Sequence, residues 1–403
     1  MQWARRVASA MVVMALSFAT GCGNFWVYPG SLNGSSSSSS TGDYVYVANG
    51  DLNAESLAGF SVSSGALTAL SGTPFSLGFS PTAVVVNPAN TIVFVAGVSG
   101  IYGIINSYSI GSGGVLSLLA SNTTGSASEV SMAVSPDGEW LVGLDASGPS
   151  QNEAIVDVYE INSSTGQLTA LSASQVYQLS LSSGQIITPL AIAFGPSAGQ
   201  NSWYLFAALG TAGDLELTFT SNTSTSTPTY SFGSNPLGLS TGSTTVSDNA
   251  LAVSPNGSYL FIARSGSTSG VAVYSIGSGG ALTTVNGSPF AAGNHPFSVV
   301  VNKAGTDVYV ANQVDGTISG YSIASNGTLT AIGGSPFSNH LGSSVWALAM
   351  DNSGNYLLAA ANGGNPDLAM YSFDQGTAGA LDYSTSTSTG TDPTEPVAIA
   401  ATH

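Results

Sequence analysis

Residues 250–283 read ALAVSPNGSYLFIARSGSTSGVAVYSIGSGGALT. Four short runs rich in aliphatic and aromatic residues stand out in this stretch: ALAV, YLFIA, VAVYSI and ALT. Turns rich in Ser, Asn, Gly and Pro separate them. Short runs of this composition between turn residues are typical of strands rather than helices. The stretch therefore predicts one antiparallel sheet of four strands.

The four segments recur in the same order along the chain, and such self-similarity has to be weighed before length. The first segment is largely apolar and recurs every 47 to 60 residues, at Thr82–Val86, Val130–Val134, Leu190–Phe194, Ala250–Val253, Phe297–Val301, Val345–Met350 and Val397–Ala400. The second follows each turn, at Tyr44–Ala48, Ile92–Ala96, Trp140–Leu144, Trp203–Ala207, Tyr259–Ala263, Val308–Ala311 and Tyr356–Ala360. The third ends in a Tyr-Ser-Ile-like triplet, at residues 60–62, 108–110, 159–161, 217–219, 274–276, 321–323 and 371–373. A weaker Gly-x-Leu-Thr segment follows at Gly65, Gly166, Gly280 and Gly327.

Seven sets of four strands predict an all-β fold, a seven-bladed β-propeller with four antiparallel strands per blade. The first segment carries almost no charge and suits the innermost strand, where the blades converge. The folded part begins with a second segment at Tyr44 and ends with a first segment at Val397–Ala400. We therefore expect the C-terminal strand to close the first blade, which would leave no open sheet edge.

The N-terminus has the features of an export signal. Arg5 and Arg6 precede an apolar run from Val7 to Ala19, and small residues lead to Cys22. A basic region followed by a short apolar run indicates a secretory signal, too short for a comfortable membrane span. The residues before Cys22 resemble a bacterial lipobox, so we expect lipidation of Cys22. An ordinary secretory signal with a stray cysteine is the alternative.

These features divide the chain into a lipoprotein signal peptide (1–21), a Ser/Gly-rich tether (22–42) and the propeller (43–403). Gly- and Ser-rich sequence behaves as a flexible coil, which would hold the propeller clear of a membrane surface. Cys22 is the single cysteine, so no internal disulfide can form. We expect an exported monomer, anchored at the bacterial cell envelope (periplasm or cell surface) through its lipid alone.

The charge balance excludes one class of partner. Without residues 1–21, the chain keeps Arg264 and Lys303 against 21 acidic residues, a formal net charge of −19. Nucleic acid binding requires clustered Lys and Arg, so we expect no nucleic acid partner. The expected partners are a protein, a glycan or a small molecule.

Several motifs resemble those of the bacterial lactonase-type seven-bladed propellers with YVTN-like repeats, a family related to 6-phosphogluconolactonase. They are Tyr-Val-Ala-Asn at 46–49 and 309–312, Ser-Pro-x-Gly at 135–138 and 254–257, and Gly-x-Pro-Phe at 72–75, 287–290 and 334–337. The resemblance spans residues 43–403 and implies the propeller fold. It also makes lactone hydrolysis an expectation to test, although a fold alone does not imply a reaction.

On one face of the predicted propeller, the loops that enter the innermost strands lie beside the loops that join second and third strands. The ligand-binding candidates on this face are Arg264, His295, Asp248 and Glu395. A lactone hydrolase needs a donor that polarises the carbonyl and a base that activates water. Arg264, His295 and Glu129 are the candidates for that chemistry.

Each candidate also has a structural interpretation. Arg264 could pair with a rim carboxylate, His295 before Pro296 could be a turn residue, and single carboxylates mostly provide solubility. Trp346 lies on a predicted strand and is expected in the core before it is expected to stack on a sugar. One arginine on this face supports phosphate recognition poorly.

The sequence predicts no cofactor and no metal site. It lacks His/Cys clusters with zinc spacing. The loop with Asp51, Asn53 and Glu55 could hold a weak Ca²⁺, although such oxygen-rich loops are usually only solvated. Two hypotheses remain: an envelope lipoprotein that binds a ligand or partner without strong catalytic machinery, and a lactone hydrolase, 6-phosphogluconolactonase-like, acting in the periplasm or at the cell surface.

Overall fold

The computed structural model describes residues 42–50, 55–125, 129–145, 153–170, 177–180, 187–188, 190–222, 229–233, 245–342, 344–390 and 395–403. The signal segment, Cys22 and the tether up to residue 41 lie outside these residues, as do Asp51 and Asn53. Within the described part, no helix is long and apolar enough to cross a membrane. The helical element found in these described ranges is a 3₁₀ turn at Ser112–Gly114.

The strands of the first three blades are β1 (Tyr44–Asn49), β2 (Ser56–Ser63), β3 (Ala66–Ala69), β4 (Phe75–Ser76), β5 (Ser80–Val86), β6 (Ile92–Ser99), β7 (Tyr102–Ile110), β8 (Leu116–Gly125), β9 (Glu129–Val134), β10 (Trp140–Asp145), β11 (Glu153–Ile161), β12 (Leu168–Ala170) and β13 (Tyr177–Ser180). Blades 4 and 5 contain β14 (Ala191–Gly199), β15 (Ser202–Ala208), β16 (Asp214–Asn222), β17 (Thr229–Phe232), β18 (Val246–Val253), β19 (Tyr259–Gly266), β20 (Gly270–Ile276) and β21 (Leu282–Thr284). Blades 6 and 7 contain β22 (Pro296–Val301), β23 (Asp307–Asn312), β24 (Thr317–Ile323), β25 (Leu329–Ala331), β26 (Phe337–Ser338), β27 (Ser344–Met350), β28 (Tyr356–Asn362), β29 (Leu368–Phe373) and β30 (Leu381–Thr387), and the chain ends with β31 (Pro396–Ala401).

Seven antiparallel sheets form the blades, and each runs outward from an innermost strand through three further strands. The short strands β4, β13 and β26 add to the third strands of blades 1, 3 and 6. Strand β31 pairs with β1, with Val47 opposite Ile399, and thus completes blade 1. The innermost strands β31, β5, β9, β14, β18, β22 and β27 pack against one another in a closed ring. The predicted fold and its closure are confirmed.

The core is divided among the interfaces between blades. Seven clusters of buried apolar side chains occur, and each joins two neighbouring blades around the ring. Trp140, for example, lies in the cluster between blades 3 and 4 and is fully buried. The apolar second strands are explained by this arrangement, because both of their faces are covered by adjacent blades.

Tyrosines on the second strands link successive blades. The hydroxyl groups of Tyr46 and Tyr309 donate to the carbonyls of Gly114 and Gly379, at 2.8 and 2.7 Å. Each acceptor lies in the turn between the third and fourth strands of the next blade. Tyrosine suits this position because its ring fills the blade interface while its hydroxyl reaches a backbone acceptor. The sequence shows the Gly-x-Leu-Thr motif of the fourth strand in four blades, and all seven sheets have a fourth strand, as predicted.

Candidate functional site

The end of each second strand lies opposite the start of the innermost strand of its own blade, and we call these two residues the rim pair. Five rim pairs involve polar or charged residues of the second strand: Asn49–Pro396, Asp145–Glu129, Arg264–Asp248, Asn312–Pro296 and Asn362–Ser344. Two of the three asparagines, Asn49 and Asn312, make hydrogen bonds with a structural role. The side-chain oxygen of Asn312 accepts from the Gly293 N–H at 3.0 Å, and Asn49 bonds Thr389. They hold the loops that lead from one blade to the next.

A β-bulge lies beside the rim pair in six of the innermost strands. The register shifts there and leaves one extra residue on each strand: Thr82, Val130, Asn249, Phe297, Trp346 and Val397. Bulges are frequent next to functional sites because they redirect a side chain. Here they place six side chains around one end of the channel. We call this end the first mouth.

Arg264 is held in a buried ion pair. Its Nε and one terminal nitrogen donate to the two carboxylate oxygens of Asp248, at 2.5 and 2.9 Å. A terminal nitrogen also donates to the Tyr274 hydroxyl at 3.3 Å. The side chain of Arg264 is 13% exposed and that of Asp248 is 2% exposed. Burial alone would lower the pKa of Arg264, but its bonds to Asp248 and the charge of that residue raise it instead. The guanidinium is therefore largely committed to its own blade.

His295 belongs to an aromatic group at the first mouth. Its ring stacks on Phe297 with 5.9 Å between centroids, and Phe297 meets the ring of Trp346 edge-on at 5.0 Å. The three rings span the boundary between blades 6 and 7, and all are partly exposed. Nδ1 of His295 is buried and makes no hydrogen bond within the described part of the chain. The left-handed φ of 58° at His295 agrees with its place in a turn. We call this group the aromatic platform.

Glu129 lies in an acidic cluster inside blade 3. Its Oε1 accepts a hydrogen bond from the Tyr159 hydroxyl at 2.7 Å, and its Oε2 has no hydrogen-bond partner among the described residues. Burial raises the pKa of Glu129 well above its ordinary value, and the charges of Asp157 and Asp145 raise it further. Burial also raises the pKa of Asp157 to about 6, with a contribution from Asp145. Burial and the neighbouring acids thus favour the protonated form of Glu129, which is buried below the rim rather than presented to a ligand.

The predicted site residues are not brought together as one catalytic group. Asp248 binds Arg264, Glu129 binds Tyr159, His295 stacks on Phe297, and Glu395 is exposed. No hydrogen bond joins Arg264 to His295 within the described residues. The described residues contain no group of three His, Cys, Asp or Glu arranged to hold a metal ion.

Two features of this rim were not predicted from the sequence. Phe297 was assigned only to an innermost strand, and Trp346 was expected in the core, although both are partly exposed. The signal was available, because large aromatic residues occupy corresponding positions of adjacent blades where the others carry Thr, Val or Asn. The second feature is Gly143, since a Cβ there would lie 2.4 Å from the Glu129 carboxyl carbon. A glycine inside an otherwise bulky second strand marks that pocket.

Comparisons with known proteins agree with the fold. The family model of the lactonase seven-bladed β-propeller matches residues 212–346, about a third of the chain. A candidate 6-phosphogluconolactonase from Bacteroides uniformis has a similar structure, with a TM-score of 0.69, 18% identity, and coverage of 90% of this chain and 99% of that chain. No curated protein matches the sequence.

Two further solved structures are similar. A protein from Lactobacillus plantarum superimposes with a TM-score of 0.68 and 15% identity, over 89% of this chain and 99% of that chain. The periplasmic gluconolactonase of Pseudomonas aeruginosa gives a TM-score of 0.64 and 16% identity, over 89% and 98% of the two chains. At these identities the structural likeness establishes the fold alone. The chain resembles the lactonase family of seven-bladed β-propellers, as its repeats predicted.

Proposed function

We propose that this chain is an exported envelope lipoprotein whose propeller binds a small, neutral, sugar-like molecule on the aromatic platform. The observation that carries the proposal is the contact between His295, Phe297 and Trp346 on two adjacent innermost strands, with all three rings partly exposed. Pocket sites commonly combine aromatic walls with a few polar groups that fix the ligand's orientation. The partly exposed imidazole of His295 adds a polar ring to this platform.

Electrostatics favour a neutral ligand over a phosphorylated one. Arg264 is already neutralised by Asp248. The other basic residue that remains after residues 1–21, Lys303, lies in a turn at the opposite end of the channel and donates to the Asn352 carbonyl at 2.8 Å. A phosphate would therefore meet no available cluster of cations, which such recognition usually requires.

The test is calorimetric titration of the purified protein with neutral monosaccharides, oligosaccharides and sugar lactones. Trp346→Ala should weaken saccharide binding by about tenfold or more, because the indole and the apolar face of the sugar would no longer shield each other from water, at about 25 cal/mol per Å² of apolar surface. Val130→Ala changes the same bulge position in blade 3, across the ring, and should leave affinity unchanged. Absence of saccharide binding, or equal losses in both variants, would rule out the platform as the site.

Lactone hydrolysis is the second candidate function, and His295 is the residue that favours it. Its imidazole is partly exposed at the first mouth and could accept a proton from water. The similar structures described as gluconolactonases suggest sugar lactones as the substrates to test. Proton release should be followed with His295→Asn, because asparagine tolerates the left-handed backbone. Hydrolysis that persists unchanged in this variant would exclude His295 as the base.

The lipid anchor is tested separately. We expect Cys22 to incorporate a labelled fatty acid and the protein to sediment with membranes. Cys22→Ser should abolish labelling and release the chain into the soluble fraction. Labelling that is retained in this variant would contradict attachment at Cys22.

A further inference from the structure

The opposite end of the channel, the second mouth, contains an apolar cavity of about 310 Å³. The innermost strands of blades 2 to 5 and the turns that follow them form its wall, with side chains that include Val85, Met132, Phe194, Trp203 and Val253. His403, which follows the last strand of blade 1, completes it. The volume is at the lower end of the range for small-molecule sites, roughly 300–1,000 Å³.

The side chains that line the cavity carry no charge near neutral pH. Two of them, Ser254 and His403, are polar. The Ser254 hydroxyl is used in its own turn, where it accepts from the Tyr259 N–H at 2.9 Å and bonds Asn256 at 2.8 Å. Burial lowers the pKa of His403 to about 4, so its imidazole is neutral. The charge of Lys303, which lies outside the lining, also lowers the pKa of His403. The lining side chains themselves offer an ion no counter-charge, so the loss of its hydration among them is unfavourable.

Blade 4 differs from the other blades on this side of the channel. Its register is continuous from Ala191 to Phe194 and then shifts twice before Gly199, at the end next to the cavity. The other six innermost strands have their shift at the first mouth. Beside the shifts, Phe194 meets Trp203 edge-on with 6.4 Å between ring centroids. The irregular hairpin thus gives the cavity an aromatic wall.

From the volume, the neutral lining and the aromatic wall, we infer that the second mouth binds a small, uncharged, largely apolar molecule containing a ring. The site is independent of the aromatic platform, since the two lie at opposite ends of the channel and share no residue. The innermost strands of blades 2 to 5 supply the contact area, and Phe194 and Trp203 provide faces and edges for a ring.

The probe for this site is N-phenyl-1-naphthylamine, a neutral dye whose fluorescence rises in apolar surroundings. It should bind the purified protein saturably, with one site per chain. Val85→Phe should fill part of the cavity and Val85→Asn should make its wall polar. Each should weaken dye binding by about tenfold or more, which corresponds to roughly 1.4 kcal/mol.

Val300 provides a matched control. Val85 lies opposite Phe94 and Val300 opposite Tyr309, at the same position of their innermost strands, and both valines are partly buried. Val300 belongs to blade 6, which does not line the cavity. Val300→Phe and Val300→Asn should therefore leave dye affinity unchanged, with thermal unfolding recorded for all four variants. Unsaturable binding, no binding, or equal losses in the Val85 and Val300 variants would overturn the inference.

Discussion

Blades 3 and 5 both have ionisable residues at the rim pair, but the two blades stabilise these buried groups in different ways. In blade 5, Asp248 faces Arg264 and the two form a bidentate ion pair. In blade 3, Glu129 faces Asp145, with Asp157 nearby, and Tyr159 is the donor that bonds Glu129. One position of one fold therefore holds a neutralised pair in one blade and a group of acids in another.

The difference shows that the backbone of the propeller does not dictate the charge at its rim. In blade 5 the buried carboxylate of Asp248 requires a cation, and the planar guanidinium of Arg264 supplies one with a fixed geometry. Blade 3 instead requires that Glu129 keep its proton and that Gly143 leave space for its carboxyl group. The first arrangement is expected to be insensitive to pH near neutrality, whereas the second should weaken as the acids ionise.

The largest expected effect comes from removing the cation of blade 5. Arg264→Met leaves Asp248 buried without its partner, and breaking such a buried pair costs about 3–5 kcal/mol. We expect this loss in the free energy of unfolding, measured with urea at pH 7. Lys303→Met removes the other basic residue, which is exposed, and should cost less than about 1 kcal/mol. Equal stability of the two variants would show that the buried Arg264 pair contributes no more to the free energy of unfolding than the exposed Lys303 does.

A smaller effect is expected from replacing the acid of blade 3. The pKa of Glu129 is raised on folding, so its favourable contribution is complete below the ordinary pKa of 4.5 and is lost as pH rises through the raised value. Glu129→Gln cannot ionise and retains an acceptor for Tyr159. Between pH 5 and pH 9 the free energy of unfolding of this variant should therefore fall less than that of the original chain, and the difference should widen as pH rises.

Glu395→Gln is the matched control for this pH series. Glu395 is exposed at the first mouth, so its replacement should leave the pH profile of unfolding unchanged. A Glu129→Gln profile parallel to that of the original chain would contradict the assignment of Glu129 as the titrating acid in blade 3.

The smallest effect is expected at Gly143. Gly143→Ala places a methyl group against the Glu129 carboxyl group and should displace it from Tyr159, at a cost of about 1 kcal/mol. The loss should vanish when Glu129 is also replaced by alanine, because the obstructing carboxyl group is then absent. Unfolding measurements on the four members of this double-mutant cycle give the coupling directly. Additive losses would show that Gly143 is needed for another reason.

The sequence repeats predict most of the fold but few of the contacts at the candidate site. Runs such as Tyr259–Ala263 alternate with turn residues every few positions, so strand number, blade number and ring closure follow from local pattern. The pairing of Arg264 with a carboxylate was one of the expected alternatives, because both residues end or begin segments of known order. The exposure of Trp346 was not expected, because its side chain is redirected by a bulge, and the bulge depends on the pairing of two strands.

The sequence by itself determined the class of fold, the closure of blade 1 by Val397–Ala400, and a strongly negative net charge, from which we expect no nucleic acid partner. These properties depend on composition and on the order of the repeats along the whole chain. Tertiary structure alone decided that Glu129 is buried beside Asp157, that Phe297 meets Trp346, and that Phe194 and Trp203 form the wall of a cavity. Each of these contacts joins different strands, and that of Phe297 with Trp346 joins different blades. Their chemistry depends on burial and register, which no local pattern encodes.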